Sequence, residues 1–465
     1  LRQMYETGLL EKVIPQFRHA NCLMQFNQYH RYTVDEHTLR CIEEATLLIS
    51  DPTSLGQAYR SIHNKAILHL ALLLHDIGKG YEEDHSDVGA RIAADVAARL
   101  YLSPREIDTI VFLVHKHLMM ALQAFRRDIS DPAFLVRFGR DVGSQEMLRM
   151  LYVLTAADIK GVGPGTWTSW KGELLGELYE GAMSVFSNDQ SWESNHRVAE
   201  VRALVKQMRR DSSDQRLRRM SEDWVARMLE SLPPNYLSRV APTDLLELLV
   251  TMRRLEKEDV IVRGRHDREN ELTEYSVMTR QEYGAGCFSK ICGALTAKRL
   301  EILSAQIITC DNGTVLDTFQ VIDGDFTGTV PAIRMAEIGE AVREVLLGRQ
   351  TVEKLLMTNR RYASEAVPIL LQEAPHVVTD NESSDTSTVI DVFAHDRRGL
   401  LFIISSVLRE LGLNVSLAKI STHLDQVVDV FYVTDETGHK VLEEDRLKAI
   451  KDRLHAAIDE KQPVA

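Results

Sequence analysis

The chain has 465 residues, with 55 Lys and Arg against 68 Asp and Glu, so its formal net charge is −13. At roughly 100–200 residues per domain this length predicts about three domains, and the acidic balance argues against a general nucleic-acid binder, whose footprint is basic. No stretch approaches the ~18–20 apolar residues of a membrane span, and five cysteines without a Cys-x-x-Cys pair exclude a disulfide framework and point to a reducing, cytoplasmic setting.

The first half reads as helical. Apolar residues recur at helical spacing over 35–50 and 65–74, and 88–100 is Ala-rich with polar residues to one side. Ser103-Pro104-Arg105-Glu106 is a helix start, with a Ser cap, Pro at the first position and Glu at the third. It predicts one long helix over 105–122. Asp131-Pro132 opens another by the same logic, and helices follow over 146–159, 173–186 and 193–208. The charged segment 212–255, broken by Pro233-Pro234, reads as a connecting or docking region, with a solvated helical extension as the favoured alternative.

After Asp259 the texture changes. Strands are predicted over 272–278, 301–309 and 315–322, with a helix over 288–298 and the hairpin turn Asn312-Gly313. Helices follow over 331–348 and 351–357. The polar stretch 373–387 reads as a linker. Strand, helix, strand and strand then return over 388–393, 400–411, 414–422 and 427–434. At an offset of 113, Gly286 falls on Gly399, Leu295 on Leu408, Leu300 on Leu413, Ala305 on Ala418, Ile307 on Ile420 and Thr309 on Thr422. Asp317-Thr-Phe319 matches Asp429-Val-Phe431 after a one-residue slip. This is an internal duplication of a βαββ unit, continuing as βαβ into a small ferredoxin-like sandwich.

The chemistry centres on His75-Asp76, which close an apolar helix just before Ile77-Gly78-Lys79-Gly80. A His and an Asp at a buried helix end need partners. A divalent metal satisfies both, since imidazole nitrogen and carboxylate oxygen suit Mn, Fe, Mg or Zn. On the dipeptide alone, a polar helix cap serves equally well. His37 on an upstream helix, and Asp158 near the end of an otherwise apolar one, favour the metal; His85 and His117 fall between them.

A set ordered His … His-Asp … Asp over separate helices resembles the HD phosphohydrolase superfamily. The words Tyr32-Thr-Val-Asp-Glu-His37, His75-Asp-Ile-Gly-Lys-Gly80, Asp84-His85-Ser86, Arg126-Arg127-Asp128, Asp131-Pro132, Leu154-Thr-Ala-Ala-Asp-Ile159 and Trp167-x-x-Trp170-Lys171 narrow this. Together they resemble the bifunctional uridylyltransferase/uridylyl-removing enzymes of the nitrogen regulatory protein PII. The C-terminal repeats look like the pair of ACT domains that ends that family. The fold class this implies is multidomain: an all-α HD phosphohydrolase domain followed by two α+β ferredoxin-like ACT domains. The expected boundaries are 1–205 for the HD domain, 206–265 for a helical connector, 266–372 for the first ACT domain with a helical extension, 373–387 for the linker and 388–465 for the second ACT domain.

The resemblance implies that His37, His75, Asp76 and Asp158 are the defining metal ligands and that His85 and His117 add a second site, for two ions, Mn or Mg with Fe or Zn as alternatives. His115, two residues before His117, points to another helix face. Lys79, Arg126 and Arg127 could hold the phosphate or nucleotide, with surface salt bridging, Asp128 and Asp131 being ready partners, as the alternative for all three. The implied reaction is hydrolysis of the phosphodiester joining UMP to a tyrosine of PII, with UMP or AMP as the removed group left open. Glutamine is the implied effector. Its residues would be Tyr283, Gly284, Ala285 and Gly286 in the first turn, which lacks the family's leading Asp, and Asp396, Arg397, Gly399, Leu400 and Asn414 in the second repeat. The glycines could instead serve tight turns only. The nucleotidyltransferase signature that precedes the HD domain in the family is not found here, so hydrolysis without transfer is expected, and the initial Leu reads as the point where that domain was removed. Two alternatives remain: a guanosine tetra/pentaphosphate hydrolase, or an amino-acid-sensing module that docks on PII with an idle HD site.

Overall fold

The computed structural model describes residues 1–24, 32–186, 194–237, 240–268, 272–280, 286–326, 328–358, 374–394, 399–423 and 426–459. Contacts divide the chain into two compact units, Leu1–Asp189 and Gln190–Ala465.

The first unit is helical. After three short helices come α1 (Val34–Leu47), α2 (Ser54–Ser61), α3 (Lys65–Leu74), α4 (His85–Arg99), α5 (Pro104–His115), α6 (Met119–Arg126), α7 (Pro132–Val142), α8 (Gln145–Val162) and α9 (Ser169–Phe186). Local chemistry sets the starts. Asn64 caps α3 by accepting from the Ile67 amide, and Ser103 with Glu106 forms a complete capping box on α5 ahead of Pro104. Asp131 caps α7, again with Pro at the first helical position. The apolar faces meet in one core: Leu68 and Leu72 of α3, Leu113 of α5, and Leu151 and Leu154 of α8 are fully buried, each such side chain contributing about 1.5–3 kcal/mol.

The single helix expected over 105–122 is two helices. α5 stops at His115 and α6 begins at Met119. In the break, the Nδ1 of His117 is 2.7 Å from the Val114 carbonyl oxygen. That ring takes a hydrogen bond to the helix end instead of projecting from a continuing helix.

In the second unit one eight-stranded antiparallel sheet runs in the order β1-β2-β4-β3-β7-β8-β6-β5. The strands are β1 (Val260–Asp267), β2 (Leu272–Arg280), β3 (Leu300–Thr309), β4 (Thr314–Asp323), β5 (His376–Asp380), β6 (Thr388–Ala394), β7 (Asn414–His423) and β8 (Gln426–Thr434). Antiparallel-sheet units with helices, of the ferredoxin-like ACT type, therefore follow the helical unit. The repeats join at β3 and β7, where Ala305 faces Ala418. These two alanines also coincide in the internal duplication, so a pseudo-twofold axis passes between them.

The structure corrects three expectations here. Each repeat was expected to end in a strand after its second helix. Instead the sheet edges are β1 and β5, strands that precede the repeats they pair with. Residues 376–380 lie within the stretch expected as a linker, and β1 was not expected at all. Both strands have polar residues, as edges do, and that polarity hides them from a hydrophobic pattern. Thirdly, the 212–255 region is not a solvated extension. Leu217, Val225, Leu229, Leu245, Leu249 and Met252 are buried against Ile261, Met278, Ile308 and Leu316 of the sheet. The charges of the segment lie on the outward side of these helices, and its leucines cover one face of the first repeat.

Candidate metal centre

Three helices and two helix ends deliver the site. α1 is anchored by Asp35, which is buried and accepts from the Tyr5 hydroxyl and, at 2.9 Å, from the Cys22 amide. This turns His37, two residues on, into the interior. α3 carries an almost wholly apolar run to Leu74, and His75 and Asp76 follow at its end, both buried. The chain then turns sharply. A Cβ on Gly78 would stand 2.1 Å from the His85 carbonyl oxygen, so only glycine lets this turn approach the head of α4. There Asp84 caps the helix, accepting from the amides of Ser86 and Asp87 at 2.9 and 3.2 Å, and His85 becomes its first residue. His117 comes from the break after α5, and Asp158 from α8.

These residues form two adjoining groups. In the first, the Nε2 atoms of His37 and His75 are 3.3 Å apart, and Asp158 Oδ1 lies 3.0 Å from the former and 3.4 Å from the latter. Asp76 Oδ2 is 3.5 Å from His37 Nε2 and 3.4 Å from His75 Nε2. In the second, Asp76, His85 and His117 converge, with Asp76 Oδ1 3.8 Å from His117 Nε2. Asp76 thus turns one oxygen to each group. His75 and His117 use Nδ1 toward the carbonyls of Leu72 and Val114, at 2.8 and 2.7 Å, which leaves Nε2 of each directed inward as a donor atom.

The electrostatics favour a cation. Burial raises the cost of charge on Asp76 and Asp158, yet Lys79 and the histidines outweigh it at Asp76, and His75 and His37 at Asp158, and hold both far below the usual carboxylate range. Burial works against a charge on His75, but Asp76 and Asp158 overcome it and lift its pKa to about 10. Burial and then His75 press His117 down to about 4, so that ring is neutral with a lone pair available. His85 is lowered as well, by burial first. The fit to a metal also rests on His85 itself: its Nε2 is buried with no hydrogen-bond partner, a costly state for a polar atom unless a ligand completes it. His37, His75, Asp76 and Asp158 on one side, and Asp76, His85 and His117 on the other, suit divalent cations by donor type.

Of the other residues singled out, Lys79 lies at the site, with Nζ 2.7 Å from Asp76 Oδ2. Arg126 and Arg127 are half-buried at the far end of α6, about 10 Å along the helix from its start beside His117. His115 faces away and pairs with Asp87 at 2.9 Å. Sequence reasoning missed Cys41, one turn after His37 on the same face of α1 and grouped with His37, His75 and Asp158; its i, i+4 spacing from His37 was the available signal. In the second unit, Gly286 and Gly399 both have left-handed φ, +77° and +84°, and each starts a helix, Cys287–Ala297 and Leu400–Glu410. Leu400 is buried, and the Asn414 side chain donates to the Asp435 carbonyl at 3.0 Å. Tyr283, Gly284, Ala285, Asp396 and Arg397 lie outside the described residues.

Comparison with known proteins adds to this geometry. A family model described as HD domain matches residues 34–157, and one described as ACR9-like, ACT-like domain matches residues 376–464. The second match takes in β5. Among relatives, the bifunctional uridylyltransferase/uridylyl-removing enzyme of Azospirillum brasilense is 37% identical over 468 residues, covering 99% of this chain and 49% of the relative. Those of Rhodospirillum rubrum and Erythrobacter litoralis are each 34% identical, over 475 and 476 residues, covering 100% and 99% of this chain and 49% and 50% of the relatives. The chain spans about half the length of these curated relatives. No helix among the described residues is long and apolar enough to cross a membrane.

Proposed function

The chain belongs, by homology over its whole length, with the bifunctional uridylyltransferase/uridylyl-removing enzymes, of which it spans about half, and from this we propose that it is a metal-dependent phosphodiesterase removing UMP from a uridylylated tyrosine of PII. The observation that carries the reading is the two-part His/Asp cluster with Asp76 common to both parts. His37, His75, Asp76 and Asp158 would hold one divalent ion, and Asp76, His85 and His117 a second. Such ions, when bound, supply Lewis acidity toward the phosphoryl oxygens and lower the pKa of water.

The chain's own residues do the rest. The Leu72 and Val114 carbonyls fix the orientation of His75 and His117. The Lys79 ammonium, held by Asp76, places a positive charge where a phosphate group would enter. The tyrosine oxygen leaves as a phenolate whose conjugate acid has a pKa of ~10, so little leaving-group assistance is required. Arg126 and Arg127 would bind the nucleotide or the PII surface beyond the metal site. In the second unit glutamine would bind at the repeat turns, through Tyr283 to Gly286 and through Asp396, Arg397, Gly399, Leu400 and Asn414, and promote removal. This is supported by the left-handed glycine that opens a helix in each repeat.

The test is chromatographic assay of UMP release from uridylylated PII with Mn, Mg or Zn, with and without glutamine. Release that requires a divalent ion and rises with glutamine is expected. No release with any of the three ions would sink the reading, and release of AMP from adenylylated PII instead would change the substrate.

A further inference from the structure

Cys41 borders the candidate metal centre. Its sulfur lies 3.5 Å from His37 Nε2 and 3.7 Å from Nδ1, and the residue is fully buried. Helix α8 passes so close that a Cβ on Gly161 would stand 2.4 Å from Sγ, and the Asp158 carbonyl lies 3.9 Å from the sulfur. One ligand atom from each of His37, Cys41, His75 and Asp158 falls within 4.8 Å of the others.

These separations can be set against those around an ion. Bonds of 2.0–2.1 Å to nitrogen and 2.3 Å to sulfur at near-tetrahedral angles put donor atoms roughly 3.3–3.6 Å apart, and a fifth donor, here Asp76, narrows some of these separations. Here the nitrogen–nitrogen separation is 3.3 Å, the nitrogen–oxygen separations are 3.0 and 3.4 Å, the sulfur lies 3.5 Å from His37 Nε2, and it is within 4.8 Å of the His75 and Asp158 donor atoms. The neighbouring group of Asp76, His85 and His117 contains no sulfur. The two halves of the site therefore differ in donor chemistry although they share Asp76.

We propose that Cys41 is a sulfur donor to the His37–His75–Asp158 half, so that this half selects zinc or another sulfur-seeking divalent ion while the Asp76–His85–His117 half accepts an ion with no such preference, such as manganese or magnesium. On binding, a metal–sulfur bond forms, the S–H bond breaks and the proton leaves to solvent. The inference rests on the metal dependence proposed above and adds to it a division of labour between the ions.

The experiment uses the full chain, stripped with a chelator and reloaded with cobalt alone. A sulfur-to-cobalt charge-transfer band in the near ultraviolet is expected in the unaltered chain and is expected to vanish in both Cys41→Ser and Cys41→Val. In competition binding, Cys41→Val should lower the preference for zinc over manganese by about tenfold or more. Bound cobalt with no such band, together with an unchanged preference in Cys41→Val, would show that Cys41 only packs. A chain that takes up no cobalt at all would remove the metal reading together with this one. Should the variants fail to fold, the spectrum of the unaltered chain still decides.

Discussion

The two units bury charge in opposite ways. In the helical unit, His75 and Asp76 are almost completely buried but face Lys79, His37, Asp158 and His117. In the sheet unit, Asp317 of β4 is 1% exposed and neither of its carboxylate oxygens has a hydrogen-bond partner. It stands between Val277 and Ile307 on the neighbouring strands, on the face that also carries Phe319 and Val321. Burial alone raises its pKa to about 7. The difference teaches what a buried carboxylate means. Surrounded by imidazoles and an ammonium it is ionised and draws in positive charge; buried without a charged partner it holds its proton up to about neutral pH and acts below that as a neutral polar group. The internal duplication puts Asp429, also buried, at the matching place of the second repeat.

The contrast breaks most visibly at the metal centre. Replacing His75 and Asp76 together with Ala should lower UMP release by roughly a thousandfold, since about 4 kcal/mol of charge stabilisation is lost at 1.36 kcal/mol per tenfold. Bound metal, measured by elemental analysis, should fall with it, while the far-ultraviolet circular dichroism stays helical. Unaltered metal content in that variant would show that the cluster is not the site.

Asp317→Asn tests the other side. The ordinary carboxyl ionises near pH 3.8, and in the folded chain Asp317 does so near 7. Between those values the folded state binds the proton that the unfolded state has released, so stability falls as pH rises from about 4 to 7 and is flat above. Asparagine does not titrate. The variant should therefore gain stability over the unaltered chain progressively across that window, by at most roughly 4 kcal/mol above pH 7, and show no gain at pH 4. Thermal melts of the two proteins at pH 4, 6 and 8 measure this, and a pH-independent difference would contradict the lone-carboxyl reading.

Gly78→Ala probes how the paired cluster is assembled. The added Cβ meets the His85 carbonyl oxygen at 2.1 Å, and backbone at that distance must shift. A cost of about 1–3 kcal/mol is expected, with a selective loss of metal from the half that includes His85. Equal metal content and an unchanged melting temperature would mean that the turn has slack it does not show.

Much of the cluster was legible because its residues stand inside informative local words. Ser103-Pro104 with Glu106 starts α5 as the structure shows, and the words around His75-Asp76 and Asp84-His85 carried the resemblance that named the cluster. What sequence did not reveal depends on contacts distant along the chain. The interruption at 116–118 carries no Pro or Gly, so the helix reads as continuous, yet that interruption is what orients His117. Cys41 looks like a core residue until α3 and α8 bring His75 and Asp158 beside it. β1 and β5 escape notice because edge strands tolerate polar residues, and the packing of Leu245 and Leu249 on the sheet is decided by a face 12 or more residues downstream.

His115 sharpens the comparison by what it should not do. It is two residues from His117, the last residue of α5, and 38% exposed, with Nε2 2.9 Å from Asp87 Oδ1. An exposed ion pair at a helix end contributes no more than about 1 kcal/mol. His115→Gln should therefore shift the melting temperature only slightly and leave metal stoichiometry as it was. His117→Gln, which removes a donor aimed at Asp76, should empty one half of the site while the half built on His37, His75 and Asp158 retains its ion. Parallel elemental analysis of the two variants separates them. Equal depletion in both would mean that the helix end as a whole, and not the ring of His117, sustains the site, because the hydrogen bond from His117 to Val114 would then be no more important for metal than the surface pair two residues away.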